Sequence, residues 1–397
     1  MQKYRNRSHA QNDWFQITLQ PELIKQDVMK KIIIALCILF IQQVHANDGV
    51  FYATGNTLIP LKETTIRLKK EILNLERRGD WMQVDIYFEF FNPGVEKELT
   101  VGFVTPPAEG DVNDEEAKHP FVKDFMVMAG DRLLPFKIAK MDETGFKVAS
   151  KTANGFDFVY YFNIKFSKGI TIIRHSYLYK GGGSVEASKD FDYRLTTGTT
   201  WANSGIDDFE LNIDMGDDSY FSIPASFGAD LAVWQVAGIG RMSKSNFPIP
   251  YMPEEKGRLK MVYLRKGKLQ LRATAFKPLE DLSINFWNLH NEVNLWCDYK
   301  EQNDFRGIMD FMWGDSVEAA MNKLTDQELR LYRNLNYARM GYDFKDETLK
   351  KAFQKYNWYI PDPALKPEKV PDYYVSKELQ KLVIAEENRR KIKTDIH

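Results

Sequence analysis

The stretch VDIYFEFFNPG, residues 84–94, decides how the N-terminal two thirds of the chain must be read. Val84, Ile86, Phe88 and Phe90 fall on one face at a period of two, and Asp85, Tyr87 and Glu89 on the other. Such alternation marks a strand with one buried side, and Asn92-Pro93-Gly94 supplies the turn that ends it. The same plan recurs outward from this point. FVKDFMVMAGDRLLPFKIAKM (121–141) reads as a hairpin with Ala129-Gly130-Asp131 at its tip. FVYYFNIKFSKGITIIRHSYLY (158–179) reads as a second hairpin, turning at Ser167-Lys168-Gly169. LKMVYLRKGKLQLRATAF (259–276) reads as a third, turning at Lys266-Gly267. Further strands are expected at 99–104, 209–213, 219–223 and 282–287. TTIRLKKEILNLERRG (64–79) fits a helix through Leu68, Ile72 and Leu75, but is read as two short strands around Ile66–Leu68 and Ile72–Leu75. Closely spaced hairpins with little helical pattern predict an antiparallel sandwich or barrel.

The period changes after Trp287. LTDQELRLYRNLNYARMG (324–341) opens with Thr325-x-x-Glu328, a capping box, and stops at Gly341, a residue suited to a left-handed C-cap. At 100° per residue Leu324, Leu331, Leu335 and Ala338 form a core-facing stripe, with Arg330, Arg333, Tyr337 and Met340 opposite. DETLKKAFQKYNWY (346–359) is a second short helix capped by Asp346, and Pro361 and Pro363 prevent its continuation. A last helix, rich in Lys and Glu, is expected from Ser376 to Ile392. The fold class is therefore α+β: an antiparallel, sandwich-like β domain followed by a small all-α domain.

The chain has 397 residues, 44% of them hydrophobic, enough apolar surface for a large core. Net charge is −1, which gives no footprint for nucleic acid. Near the N-terminus, Met29-Lys30-Lys31 begins a basic segment, Ile32–Ile41 is an apolar run, and Val44-His45-Ala46 has the form of a cleavage site. These are the parts of a secretory signal peptide, and the run is too short to span a bilayer. Residues 1–28 then read as an upstream start misassignment and 29–46 as the signal. The β-rich domain takes 47–295, the helical domain 310–365 and a C-terminal helix or tail 366–397. Cleavage near Ala46 removes six Lys/Arg and three Asp/Glu and takes the net charge from −1 to −4. The expected location is secreted or periplasmic, with no transmembrane segment in the mature chain. Cys297 would be the only cysteine left, so packing and not disulfides must hold the fold.

Residues 329–359 resemble the YARHG domain, a small helical module of secreted bacterial proteins. The matching positions are Leu329-Arg330, Arg333-Asn334, Tyr337-Ala338-Arg339, Gly341, Phe344, Leu349, Phe353 and Trp358-Tyr359. Met340 stands where that family has histidine, so no acid, base or ligand role can rest on an imidazole there. The β-rich part, about 47–290, resembles the uncharacterised domain of unknown function 4424. That likeness is carried by NDGVFYATGNTLIPL, by residues 84–107, by IIRHSYLY and by YRLTTGTTWANSGIDDFELNI. Both resemblances imply an extracytoplasmic bacterial protein, and neither brings a known activity.

The candidate ligand-binding residues are Arg330, Arg333, Asn334, Tyr337, Arg339, Trp358, Tyr359 and Trp201. Arginine forks bind carboxylate or phosphate and tyrosine stacks on rings, so a cell-wall glycan or an envelope protein would suit the helix face. The competing reading gives those side chains to helix packing. Trp358-Tyr359 could be a platform or could close a small core. TTGTTWANSG (196–205) could be a ligand loop or a strand-end cap with Trp201 beneath it. Asp207, Asp208, Asp214, Asp217 and Asp218 lack the spacing of a calcium loop, and no His/Cys set has zinc spacing, so no metal and no cofactor is expected. His290 and Cys297 match no cysteine-hydrolase signature. Non-catalytic binding at the envelope is favoured. The alternative is an envelope-polymer hydrolase working through carboxylates such as Glu89 or Asp208.

Overall fold

The structure is a computed structural model. It describes residues 50–51, 55–56, 58–61, 64–105, 109–110, 121–146, 158–183, 189–227, 233–243, 259–287, 322–356, 359–370 and 374–395. Asp48–His397 form one compact unit. The principal strands are β1 (Arg67–Arg78), β2 (Trp81–Asn92), β3 (Lys97–Thr105), β4 (Val122–Ala129), β5 (Lys137–Lys140), β6 (Phe158–Phe166) and β7 (Gly169–Lys180). They continue with β8 (Lys189–Arg194), β9 (Ile206–Asp214), β10 (Ser219–Pro224), β11 (Val233–Met242), β12 (Leu259–Phe276) and β13 (Leu282–Trp287). Three helices follow: α1 (Asp326–Arg339), α2 (Glu347–Phe353) and α3 (Tyr374–Asp395). The α+β class is therefore what the chain adopts, strands first and helices last.

The large sheet runs β8-β13-β10-β12-β9-β1-β2-β7-β4, with β11 along the other edge of β12. All of these pairings are antiparallel except β1 with β9, which is parallel. The 18-residue strand β12 holds the sheet together because its two halves take different partners. Leu259–Leu264 pair with β10 and Leu269–Phe276 with β9, so the sheet divides there into two leaves. The leaves meet across one core. Tyr179 of β7 packs edge-on to Phe191 of β8 at 6.3 Å, and the Arg77 guanidinium lies 3.8 Å from the Phe286 ring centroid. A smaller sheet, β5-β6-β3 with Ile59–Pro60 at its edge, packs its aromatics on β2 and β7. Phe103 lies 4.6 Å from Tyr177, and Phe166 lies 5.6 Å from Phe90.

Val84, Ile86, Phe88 and Phe90 are all buried, as the alternation requires. At about 1.5–3 kcal/mol for each large side chain removed from water, such rows supply most of the driving force. Register carries the inner row across strands: Phe209 of β9, Glu71 of β1, Phe88 of β2 and Ile173 of β7 stand side by side.

Three local expectations are corrected. Residues 67–75 lie in one continuous strand, with a bulge between Leu68 and Lys70 in place of a break. Residues 158–179 are two strands that do not pair with each other: β6 joins the small sheet and β7 the large one. The segment Ser167–Gly169 is thus a crossover between layers. Residues 259–276 do not turn at Gly267. Gly267 (φ +102°) faces Gly238 (φ +143°) across the β11–β12 ladder, where a Cβ on Gly267 would sit 2.2 Å from the Ala237 carbonyl oxygen. The glycine serves close backbone approach, not reversal. The hairpin at Gly130 is short, since its return strand is only Arg132–Leu133 before the chain leaves for β5 in the other sheet.

The helices cover the outer face of the β10–β12 leaf. Tyr220, Met261 and Tyr263 pack with Leu329, Tyr332, Leu335, Ala338, Phe344 and Tyr359 in a second core. β10 is consequently buried along its whole length, Ser219 and Ser222 included. Arg265 pins the contact: it donates to Asp218 at 2.6 Å, to the Ile360 carbonyl at 3.3 Å and to the Arg339 carbonyl at the end of α1. Gly341 (φ +81°) needs its hydrogen twice over, for the left-handed cap and because a Cβ would lie 2.5 Å from the Ile360 oxygen.

Candidate functional site

The side chains singled out on α1 are engaged within the module. Arg330 donates to Asp346 at 2.6 Å, and the same carboxylate caps α2 through the amides of Thr348 and Leu349. Those amides and then Arg330 hold the Asp346 carboxyl below its ordinary range. Arg333 pairs with Glu387 of α3 at 2.8 Å. The Asn334 amide donates to the Arg330 carbonyl at 2.8 Å, one helical turn back. Tyr337 is half-buried, 6.0 Å from Tyr342 in a T-shaped pair. Arg339 is half-buried beside Tyr220, and desolvation of its head group pushes its guanidinium down to about 10. Tyr359 is fully buried, stacks near Phe344 and Phe353, and donates its hydroxyl to the Tyr342 carbonyl at 2.9 Å. Trp358 lies outside the described residues, as do His290 and Cys297.

The core-facing stripe is broader than the sequence suggested. Leu329 and Tyr332 are buried with Leu335 and Ala338, whereas Leu324 and Leu331 lie at the margin. Met340, placed on the outer face, is also buried. α1 packs both against its own module and against the sheet, so more than one stripe is covered. The 100° rule also lapses at Met340, the C-cap residue.

The hydroxyl-rich loop folds as a 3₁₀ turn, Thr196–Thr200, that consumes its own donors. Thr197 donates to the Arg194 carbonyl, Thr199 to that of Thr196 and Thr200 to that of Thr197, all within 2.8 Å. Trp201 is 1% exposed, lies 4.4 Å from the Phe90 ring and donates its indole N–H to the Leu58 carbonyl at 2.9 Å. It anchors the loop from below.

That anchoring shapes a cleft that the sequence did not reveal. The residues following Trp201, the entry to β1 and the end of β12 border an open depression of about 630 Å³. Thr64, Thr65, Arg67, Asn203, Asp207 and Lys277 supply its polar lining, and Ala202 and Ala275 leave room. Asn203 is fixed by a two-way bond to the Leu68 backbone, accepting at 3.0 Å and donating at 2.9 Å, beside the β1 bulge. Its amide also donates to Asp207 at 3.0 Å. Arg67 and Lys69 reach the same carboxylate at 3.2 and 3.3 Å. Burial pushes the Asp207 carboxyl up, but the donors of Asn203 and Lys69 and the charge of Arg67 outweigh it and hold it below the usual range. Asp207 is thus an ionised, saturated acceptor, poorly suited to act as a general acid.

The remaining carboxylates are dispersed. Asp208 binds Lys70 at 2.6 Å, Glu89 accepts from Tyr87 at 2.9 Å, Asp214 caps the Gly216 amide, and Asp218 belongs to the Arg265 hub. No group of three or more His, Cys, Asp or Glu that could hold a metal occurs among the described residues. No helix among them is long and apolar enough to cross a membrane.

A β protein of two packed sheets with a docked helical module is the class that this architecture defines. The helical module is a YARHG domain: that family matches residues 314–386. The fold as a whole is similar to a solved structure from Legionella pneumophila subsp. pneumophila strain Philadelphia 1, described as a "putative nutrient binding protein". The TM-score is 0.53 at 19% identity, over 86% of this chain and 100% of that one. At that identity the likeness is one of fold. No curated protein matches the chain.

Proposed function

We propose that this is an extracytoplasmic bacterial protein, secreted or periplasmic, that binds envelope glycan or an envelope protein without catalysis, and that the Arg67–Asn203–Lys277 cleft is its binding site. The carrying observation is the cleft itself. Among the described lining residues the one carboxylate is already satisfied by three side chains, while Lys277 and the Nε and Nη1 groups of Arg67 remain for a ligand. Concave sites of 300–1,000 Å³ with a few convergent polar groups are where proteins hold small ligands. The export reading rests on the signal-like segment 29–46 and on the YARHG module. The name of the Legionella protein of similar fold agrees with a binding role.

The role of the YARHG module in this reading is structural. It covers the β10–β12 face and stiffens the long strand whose far end, at Ala275, borders the cleft. A pull-down of the full chain on isolated cell wall and on envelope extract tests the function: retention is expected on one of them, and retention on neither refutes it. N-terminal sequencing of the protein recovered from cells tests export, with a start at Asn47 expected.

A further inference from the structure

We propose that the Arg67–Lys277 cleft is an oxyanion site for an acidic saccharide, a sugar unit carrying a carboxylate or phosphate. This rests on the reading of the cleft as the binding site and names its ligand class.

The charges in and around the cleft do not balance. Arg67 and Lys69 share Asp207, and the Lys277 ammonium has no ion pair among the described residues. A fourth cation, Lys97, donates to the Thr65 hydroxyl of the lining at 2.8 Å. Among the described residues, the lining itself holds two cations, Arg67 and Lys277, and one carboxylate, Asp207. Arg67 reaches it through Nη2 alone, which leaves Nε and Nη1, on opposite edges of the guanidinium, as separate charged donors for an incoming oxyanion. Thr64 and Thr65 also line the cleft; their hydroxyls accept from the Ile66 amide and the Lys97 ammonium and keep their O–H donors for a sugar. The lining holds no aromatic ring among the described residues, so charge and not ring stacking is what those residues offer a ligand. Binding should therefore weaken as salt rises. The volume accommodates one or two sugar rings and not a folded peptide segment.

The test is titration of the full chain at low salt with D-glucuronate, glucose 1-phosphate, D-glucose, inorganic phosphate and triglutamate. Glucuronate or glucose 1-phosphate is expected to bind at least about ten-fold more tightly than glucose, the size of one charge-assisted hydrogen bond. Which of the two wins tells carboxylate from phosphate. Lys277→Gln should lose about ten-fold for the acidic sugar with an unchanged melting temperature, because Lys277 is exposed and unpaired. Asp207→Asn should raise that affinity several-fold by freeing Arg67 and Lys69. Equal binding of glucose, equal binding of inorganic phosphate or triglutamate, or indifference to Lys277→Gln would each overturn the proposal. Cell-wall retention without affinity for any acidic sugar would overturn it too, while leaving the binding function intact.

Discussion

The helical module and the rim of the large sheet both carry arginines, and they use them in opposite ways. On α1 and α3, Arg330 has Asp346, Arg333 has Glu387 and Arg390 has Asp326, with Glu386 shared between Arg389 and Arg390. At the mouth of the cleft, Arg67 and Lys69 compete for Asp207 while Lys277 has no ion pair among the described residues. A small module has little apolar surface per residue and fixes its helices partly with polar contacts. A large sandwich can leave cations over. The binding chemistry therefore resides where donors outnumber acceptors, not where arginines are densest.

The sharpest way to break this contrast is at the joint between the regions. Arg265 is 8% exposed and serves Asp218 and two carbonyls, so Arg265→Ala leaves several buried groups unpaired. A loss of about 3–5 kcal/mol is expected, read as a large drop in melting temperature, with protease cutting between the sheet and α1. Trp201→Ala should cost a similar amount, about 3–5 kcal/mol, and should also abolish ligand binding, because it removes the floor of the cleft loop.

A smaller effect separates the interior of the sandwich from both surfaces. Glu71 is fully buried among aromatics, and burial pushes its carboxyl up to about 8. The folded state therefore keeps a proton that the unfolded chain releases near pH 4.5, and this contribution to stability is lost as pH rises from 4.5 to 8. Burial pushes His175 down to about 3, only partly offset by the Met126 backbone. The folded state refuses a proton that the unfolded chain takes up near 6.5, so stability is lost as pH falls from 6.5 toward 3. Each slope is about 1.4 kcal/mol per pH unit. The two cancel between pH 4.5 and 6.5, so these groups predict a plateau there. Glu71→Gln should flatten the decline above it, by about 2 kcal/mol at pH 8, in melting curves collected from pH 4 to 9. The smallest effect belongs to the helix face. Arg330→Ala should cost less than about 1 kcal/mol, since both partners are partly exposed, and should leave retention on envelope material unchanged. Lost retention would move the site back to the YARHG face.

Much of the fold was readable because burial imposes a period. Val84 to Phe90 alternate and are buried as they alternate, and Thr325, Glu328 and Gly341 mark the ends of α1. Partner choice was not readable. Residues 158–166 and 169–180 look like a hairpin, yet they belong to different sheets, because alternation tells which side is buried and not which strand lies alongside. Gly267 looked like a turn for the same reason: a glycine signals close approach or positive φ, and only the facing Gly238 says which. The cleft was hidden more deeply. Its lining comes from 64–67, 202–207 and 275–277, three segments with no common motif. In the sequence Asp207 is one of a run of aspartates, and its competing cations lie about 140 residues away in the chain.

By itself, then, the sequence determined the division into a strand-rich and a helical part, the capped helix α1 and the alternating core faces. These depend on local propensity and on the side-chain period, which neighbouring residues set. Only the tertiary structure decided the two-leaf sheet, the sandwiching of β10, the internal pairing of the α1 arginines and the excess of positive charge at the cleft. Each of those depends on which distant residues come within a few ångströms, and both the Coulomb energy and the burial of a side chain are set by that distance.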